Sequence, residues 1–182
     1  PAVADAGLVS TICEGSTFLV SGSDALNYTS LNWTSSGTGS FDNASLLHPT
    51  YTPTTADIAA GNVTLTLTAS GLATCSPAVA SVILNISRQV IVDAGPDNAI
   101  CQNATFTVTG ATEQHSSSLA WSHNGGGVLA DANTINPTYI PAAGESGVVT
   151  LTLTGDPIAP CGNDIDQMQV TIHPLPQAYA GL

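Results

Sequence analysis

Residues 63–68 read VTLTLT, so that apolar and hydroxyl side chains alternate with a period of two. Successive side chains of a β-strand point to opposite faces of the sheet. Val63, Leu65 and Leu67 therefore share one face, and the three threonines share the other. The pattern predicts a strand that is buried on one face and exposed to water on the other.

The same six letters return at residues 149–154, 86 residues later. Earlier parts of the chain recur with an offset of 88: ADAG at residues 4–7 matches VDAG at 92–95, and PTYTP at 49–53 matches PTYIP at 137–141. A strand that recurs together with its surroundings indicates a tandem repeat. We predict one repeat at 1–88 and a second at 89–176, and we expect residues 177–182 to begin a third repeat or a linker, because AYAGL resembles ADAGL at 4–8.

Each repeat is predicted to be built almost entirely from short strands. In the first repeat we place them near 2–5, 9–12, 16–21, 29–35, 39–42, 47–52, 63–69 and 79–86. Glycine-containing turns separate several of them, at 22–23, 37–39 and 71. Such strands, with turn signals every 8–12 residues or so, are typical of a β-sandwich. We expect at most a single helical turn, over residues 55–60.

The charge balance excludes several classes of partner. The chain holds 13 acidic residues and one basic residue, Arg88, which gives a formal net charge of −12. Phosphate backbones and anionic lipid headgroups would be repelled, so the composition argues against nucleic-acid binding. No apolar run approaches the length of a membrane span, so we expect no membrane insertion.

The four cysteines fall two to a repeat: Cys13 and Cys75, then Cys101 and Cys161. Paired, widely spaced cysteines in a threonine-rich β protein favour disulfides and an oxidising compartment. We predict pairing within each repeat as the simplest arrangement, although the strand path would place the two cysteines of one repeat at opposite ends of a sandwich. Free buried thiols are the alternative. A zinc site is disfavoured because no CxxC pair occurs.

The aromatic residues that recur are interpreted first as structural. Trp33 and Trp121 share a strand face with a leucine two residues earlier, which favours the core of each sandwich over a sugar-stacking platform. Tyr51 and Tyr139 lie between prolines and are expected to pack at a strand end, with their hydroxyls bonded to backbone.

Acidic residues near the predicted ends of the repeats are weak calcium candidates. No DxDxDG-type loop is present, so solvated surface acids are the default interpretation. We otherwise expect no cofactor and no catalytic residue, because the histidines do not recur and no nucleophile elbow occurs. The calcium candidates are Asp5, Asp93, Asp97, Asp164 and Asp166.

The recurring frame resembles a known type of repeat. A DAG…ICxxxxF segment, a tryptophan, PTYxP, VTLTLT and a late cysteine are similar to the PKD-like/Ig-like repeats of very large surface proteins of Bacteroidota, including gliding-motility adhesins of the SprB type and type IX-secreted proteins. The resemblance covers the whole chain twice. It implies all-β, immunoglobulin-like sandwich domains in an elongated tandem array, an extracellular cell-surface location and a stalk or adhesive role without catalysis.

Three functional hypotheses follow. The first is a structural or adhesive segment of a long surface protein or filament, whose partners are neighbouring repeats and, beyond them, surface polysaccharide or other cell-surface proteins. The second is a carbohydrate-binding module, motivated by the two tryptophans. The third is an accessory domain of an enzyme.

Overall fold

The computed structural model describes residues 1–71, 75–178 and 181. It forms two compact units. Unit 1 consists of Pro1–Arg88 together with Ala159–Cys161, and unit 2 consists of Gln89–Ile158 together with Gly162–Leu182. The main division thus falls between residues 88 and 89, but a short segment of the second sequence repeat belongs to unit 1. The expected start of a third repeat includes residues 179, 180 and 182, which lie outside the described residues.

Over its described residues, unit 1 holds nine strands and one short helix. Their bounds are β1 Val3–Asp5, β2 Ser10–Cys13, β3 Phe18–Leu19, β4 Asp24–Leu26, β5 Ser30–Ser35, β6 Ser40–Phe41, β7 Thr50–Thr52, α1 Thr55–Ala60, β8 Asn62–Ser70 and β9 Ala78–Ser87.

Unit 2, as far as its residues are described, repeats the nine strands without the helix. Their bounds are β10 Ile91–Asp93, β11 Asn98–Cys101, β12 Phe106–Thr107, β13 Thr112–Gln114, β14 Ser118–His123, β15 Val128–Ala130, β16 Thr138–Ile140, β17 Gly147–Asp156 and β18 Asp164–His173.

Both units have the same topology. In unit 1 a four-stranded sheet has the order β2-β9-β8-β5, a three-stranded sheet has the order β3-β7-β6, and β1 pairs with β4. In unit 2 the corresponding orders are β11-β18-β17-β14, β12-β16-β15 and β10-β13. All pairings are antiparallel except β2 with β9 and β11 with β18. The all-β prediction is confirmed, and the arrangement is that of an immunoglobulin-like sandwich.

The period-two strands supply the centre of each core. Leu65 and Leu67 of β8 are fully buried, as are Leu151 and Leu153 of β17. The alternating threonines on these strands lie on the opposite, partly exposed face. Burial of one face and hydration of the other is what the alternation predicts for an antiparallel strand at the surface of a sandwich.

The helical turn expected over residues 55–60 forms as α1. It begins at a capping box: the Thr54 hydroxyl accepts from the Asp57 N–H, and the Asp57 carboxylate accepts from the Thr54 N–H. It ends at Gly61, whose φ of 78° is a left-handed conformation that glycine adopts without steric cost. Six residues are too few for a stable isolated helix, so these caps and the contact with β8 hold it in place.

The sequence interpretation missed one strand in each unit. Residues 22–23 were predicted as a turn between two longer strands, and the structure adds β4 directly afterwards, paired with β1. β4 is only three residues long, and its pattern of one buried alanine between two exposed residues is too short to show a period.

Candidate functional site

The disulfide in the structure joins Cys13 to Cys161 and not to Cys75. The predicted pairing within each repeat is therefore wrong. The two sulfurs are 1.94 Å apart and the Cα atoms 4.9 Å apart, across 148 residues of sequence. Cys75 and Cys101 are free and exposed.

The topology explains why the pairing within a repeat fails. Cys13 lies opposite Ser87, the last residue of β9, whereas Cys75 comes just before Ala78, the first residue of β9. At about 3.3 Å per residue, the ten residues of β9 separate the two ends by roughly 30 Å. A disulfide requires Cα atoms within about 7 Å, so the two cysteines of one repeat cannot meet in the folded unit.

We call Cys13 and Cys101 the leading cysteines and Cys75 and Cys161 the trailing cysteines. A leading cysteine ends the strand that runs parallel to the last strand of its repeat. A trailing cysteine lies in the loop between the last two strands. The structure thus bonds the leading cysteine of the first repeat to the trailing cysteine of the second.

The segment that carries Cys161 is anchored at the end of β9. The Ser87 hydroxyl lies 3.3 Å from the Ala159 carbonyl oxygen, and the Cys161 sulfur lies 3.5 Å from the Ser87 carbonyl oxygen. Cys161 is buried. Unit 1 therefore contains both halves of the disulfide, although one of them comes from the second sequence repeat.

The five calcium candidates are occupied as acceptors for backbone N–H groups. Asp5 and Asp93 each accept from the glycine two residues later, at 2.9 and 2.8 Å, and Asp97 accepts from the N–H of Gln169. Within residues 1–71, 75–178 and 181, no three His, Cys, Asp or Glu side chains are grouped as a metal site would require.

The last two candidates attach a short edge strand of unit 2. Asp164 accepts from the N–H of Val92 at 2.9 Å, and Asp166 accepts from the N–H of Ala94 at 2.7 Å. A carboxylate that accepts a backbone N–H makes a charge-assisted hydrogen bond. These two residues therefore fasten the chain at and just after β10 to β18, which is a structural role.

The two tryptophans belong to the hydrophobic cores. Trp33 is 2% exposed and Trp121 is 5% exposed. Trp33 packs against Phe41, with ring centroids 5.9 Å apart. Stacking on a sugar requires an exposed indole face, so neither residue forms the platform on which the carbohydrate-binding interpretation rested.

A serine and a histidine do lie close together in unit 1. The Ser23 hydroxyl is 3.1 Å from Nδ1 of His48, but it also lies 2.7 Å from the Leu47 carbonyl oxygen and 3.1 Å from that of Val20. Ser23 is buried, at 5% exposure. These contacts make the pair a link between two loops.

The recurring tyrosines are held by carboxylates that sequence reasoning missed. Tyr51 is fully buried, and its hydroxyl donates to Asp57 at 3.0 Å and lies 2.9 Å from the Ser35 hydroxyl. Asp57 is itself 2% exposed and also accepts from the N–H of Thr38 at 2.8 Å. The expected backbone partner is the N–H of Gly39, and a buried acid six residues later adds a carboxylate acceptor that the sequence interpretation did not predict.

Unit 2 builds the same site with a longer side chain. The Tyr139 hydroxyl donates to the Glu145 carboxylate, at 2.9 Å from both oxygens, and accepts from the N–H of Gly127 at 3.0 Å. Glu145 also accepts from the N–H groups of Gly126 and Ala142. Here one backbone bond is present, as expected, together with the unexpected carboxylate.

The chain offered a signal for these acids. Each lies six residues after its tyrosine, and the pair Asp57 and Glu145 keeps the offset of 88, whereas VTLTLT follows at 86. The two-residue deletion therefore comes after the acid, so the tyrosine-to-acid spacing is kept although the loop length is not.

Close packing around the tyrosine–carboxylate sites excludes side chains from the facing turns. A Cβ atom on Gly37 would collide with the Asp57 carboxylate, and one on Gly125 would collide with the Tyr139 hydroxyl. Gly37 and Gly125 are therefore required for space.

Burial and hydrogen bonding act in opposite directions on the pKa of each acid. Burial alone would raise the pKa of Asp57, but the N–H groups of Thr54 and Thr38 and the Tyr51 hydroxyl lower it below its ordinary value. The same balance lowers the pKa of Glu145, where His123 adds a smaller electrostatic contribution. Burial raises the pKa of both Tyr51 and Tyr139. Both sites therefore pair an ionised carboxylate with a neutral phenol.

Comparison with known proteins shows the fold alone. No protein-family model matches the chain, and no curated protein matches it. A solved structure of titin domains I67–I69, in an E-to-A variant, is similar with a TM-score of 0.57 and 12% identity, over 96% of this chain and 66% of that one. The structure of immunoglobulin domains 1–4 of Sidekick-1 is similar with a TM-score of 0.58 and 16% identity, over 94% of this chain and 49% of that one.

A third similar structure comprises repeats EC22–24 of mouse cadherin-23, with a TM-score of 0.52 and 15% identity, over 96% of this chain and 66% of that one. The chain thus spans about half to two thirds of the structures it resembles. At such identities the similarity establishes tandem immunoglobulin-like domains and does not carry over any binding partner. Within the described residues, no helix is long and apolar enough to cross a membrane.

Proposed function

We propose that this chain is a non-catalytic structural segment of a long cell-surface protein, in which immunoglobulin-like repeats act as a covalently reinforced spacer. The observation that carries the proposal is the disulfide between Cys13 and Cys161. It joins unlike positions of consecutive repeats, so the link is directional along the chain. A bond of this kind strengthens a repeat array where a bond within each repeat would strengthen only the single domain.

The chemistry of the surface supports an extracellular location. Disulfides persist in oxidising compartments. A net charge of −12 keeps a long array soluble, and the single basic residue leaves few sites for trypsin-like proteases. The resemblance of the sequence frame to repeats of bacterial gliding-motility adhesins supports a stalk or adhesive role, with neighbouring repeats as the first partners and surface polysaccharide or other surface proteins as further ones.

Small-angle X-ray scattering of the purified, oxidised chain tests the spacer. The proposal expects an elongated particle whose profile requires two separated domains, and a globular profile would contradict it. Antibodies raised against the chain test the location: they should label intact source cells as strongly as permeabilised ones. Labelling that requires permeabilisation would contradict a surface role.

A further inference from the structure

The disulfide in the structure leaves one cysteine of each kind without a partner. Cys13 is a leading cysteine and Cys161 is a trailing one, and by the repeat offsets they correspond to Cys101 and Cys75 respectively. Both of these are free and exposed. A chain of two repeats that is bonded from leading to trailing cysteine must retain a trailing cysteine in its first repeat and a leading cysteine in its second.

The backbone around the free leading cysteine reproduces the frame of the bonded one. Cys13 pairs with Ser87 in a parallel ladder, and Cys101 pairs with His173 in the corresponding ladder. The residue after Cys13 donates its N–H to the Ser87 carbonyl at 2.9 Å, and the residue after Cys101 donates to the His173 carbonyl at 2.7 Å. Cys101 is therefore held in the position from which Cys13 forms its disulfide.

The bonded trailing cysteine shows where such a residue lies in its own repeat. Immediately after Cys161, the Gly162 carbonyl accepts a hydrogen bond at 3.0 Å from the side chain of Gln89, the first residue of unit 2. The trailing-cysteine loop thus lies beside the start of its repeat. Directly before Gln89 the chain leaves β9, and Ser87 at the end of β9 contacts Ala159 and Cys161.

The free trailing cysteine occupies the matching place in the first repeat. By the offset of 88, Pro1 corresponds to Gln89, and Cys75 lines a shallow cleft of about 110 Å³ together with Pro1, Ala2, Asn27 and Gly71. The cleft lies where the end of another repeat would enter by analogy with Ser87. It is accessible, since Cys75 is exposed whereas the bonded Cys161 is buried.

We propose that Cys101 and Cys75 are the open ends of a head-to-tail disulfide series, in which the leading cysteine of each repeat bonds the trailing cysteine of the next. The partner of Cys101 is the trailing cysteine of a further repeat of this type, and the partner of Cys75 is a leading cysteine. The link is heterologous, because the two surfaces that meet are different, so it extends a series and does not close a symmetric dimer. This inference deepens the proposed spacer function and rests on it only for the existence of further repeats.

The bond forms by thiol–disulfide exchange. The thiolate of one cysteine attacks a sulfur of oxidised glutathione and releases one glutathione thiolate. The thiolate of the second cysteine then attacks the cysteine sulfur of this mixed disulfide and releases the other glutathione. Two protein thiols lose two protons and two electrons, and one oxidised glutathione becomes two reduced ones.

Two complementary variants of the whole chain test the pairing. Cys75→Ser keeps only the free leading cysteine, and Cys101→Ser keeps only the free trailing one. In a glutathione redox buffer, a mixture of the two should give a disulfide-linked heterodimer that exceeds either homodimer by about tenfold or more, a preference of about 1.4 kcal/mol. Peptide mass spectrometry should show Cys101 joined to Cys75, and the double variant should stay monomeric.

A tandem fusion of two copies of the chain distinguishes the source of the partner. If flanking repeats of one polypeptide supply it, Cys101 of the first copy bonds Cys75 of the second within the fusion, because the linker gives an effective concentration of about a millimolar. Heterodimers in the mixing experiment would show that the same bond also forms between separate molecules. Homodimers in the statistical proportion, a Cys75–Cys101 bond within one chain, or no new bond in both experiments would each overturn the proposal.

The scattering test of the spacer is independent of this result. If the chain is elongated but forms no leading-to-trailing bond, the proposed spacer function is supported and the disulfide series is contradicted. If the chain forms the bond but is globular, the disulfide series is supported and the spacer function is contradicted.

Discussion

The two units bury the same tyrosine–carboxylate contact with different loops after the recurring tyrosine. Unit 1 uses a capped helix, in which Asp57 closes the N-terminus of α1 and also accepts from Tyr51. Unit 2 has no helix there and reaches its tyrosine with the longer Glu145. The strand frame and the tyrosine–carboxylate contact are kept, whereas the loop that presents the carboxylate is exchanged. The difference shows that the buried contact, and not the helix, is what both units need.

The largest effects should come from the part that the two units share. Leu67 and Leu153 occupy corresponding positions and are both fully buried. Leu67→Ala should lower the free energy of unfolding of unit 1 by about 2–5 kcal/mol, and Leu153→Ala should do the same to unit 2, because each change removes buried methyl groups and leaves a cavity. Denaturant titration followed by hydrogen exchange in each unit measures both values. A cost below about 1 kcal/mol in either unit would show that its core is not packed as described.

Removing the carboxylate from each tyrosine–carboxylate site should destabilise the two units unequally. Asp57→Ala removes the helix cap and leaves the buried Tyr51 hydroxyl and Thr38 N–H without their acceptor, so we expect a loss of about 2–4 kcal/mol in unit 1. Glu145→Ala should cost about 1–2 kcal/mol in unit 2, since Glu145 is only partly buried and water replaces part of its bonding.

Tyr51→Phe and Tyr139→Phe are the matched controls, because they keep the ring and remove only the hydroxyl. Each should cost less than the loss of the corresponding acid. If Asp57→Ala and Glu145→Ala lowered the free energy of unfolding equally, the capped helix of unit 1 would contribute no more than the loop of unit 2, which would contradict the prediction.

Acid should destabilise both units through these carboxylates. The pKa of Asp57 and that of Glu145 are lower in the folded protein than their ordinary values. Their contribution is therefore fully present above the ordinary pKa of an unfolded carboxyl group, near 4, and is lost as the pH falls through the lower folded pKa. The urea concentration at the midpoint of unfolding, measured from pH 6 down to pH 2, should decrease as the pH falls below about 4. Asp57→Asn should flatten the profile of unit 1 and leave that of unit 2 unchanged, and an unaltered profile for unit 1 would contradict the assignment.

The smallest predicted effect distinguishes the units at their first strands. Asp164→Ala or Asp166→Ala removes one hydrogen bond to the chain at β10 and should cost about 1 kcal/mol. Hydrogen exchange at Val92 and Ala94 should accelerate in the respective variant. Unit 1 holds alanines at the corresponding positions 78 and 80, so Ala78→Asp is the matched gain: it supplies an acceptor at the position of Asp164 and should slow exchange at Ala4 of β1, which corresponds to Val92.

Sequence periodicity predicted the parts of the fold that depend on local alternation. VTLTLT specified a strand and its buried face in both units, and the loop composition indicated the turn that becomes α1. β4 was missed because three residues carry no period. Asp57 and Glu145 were missed because they lie outside the alternating strands, where periodicity carries no information, although their constant spacing from the tyrosines was a usable signal.

The disulfide was predicted incorrectly for a different reason. Two cysteines per repeat at matching positions are equally consistent with bonds within repeats and with bonds between them. The choice depends on which ends of the strands are close in space, and only the topology supplies that. The conflict between the assumed pairing and the immunoglobulin strand path was visible in the sequence, and it counted against bonds within repeats without identifying the partner of Cys13.

One digestion tests the bond between consecutive repeats most directly. Arg88 is the only basic residue and lies between the repeats, so trypsin cleaves the denatured, alkylated chain at this single site. If Cys13 is bonded to Cys161, the fragments 1–88 and 89–182 should migrate together without reductant and separate with it, and alkylation should label Cys75 and Cys101. The Cys13→Ser variant should separate in both conditions. Separation of the native chain without reductant, with each fragment two hydrogens lighter than its reduced mass, would show bonds within repeats and contradict the account.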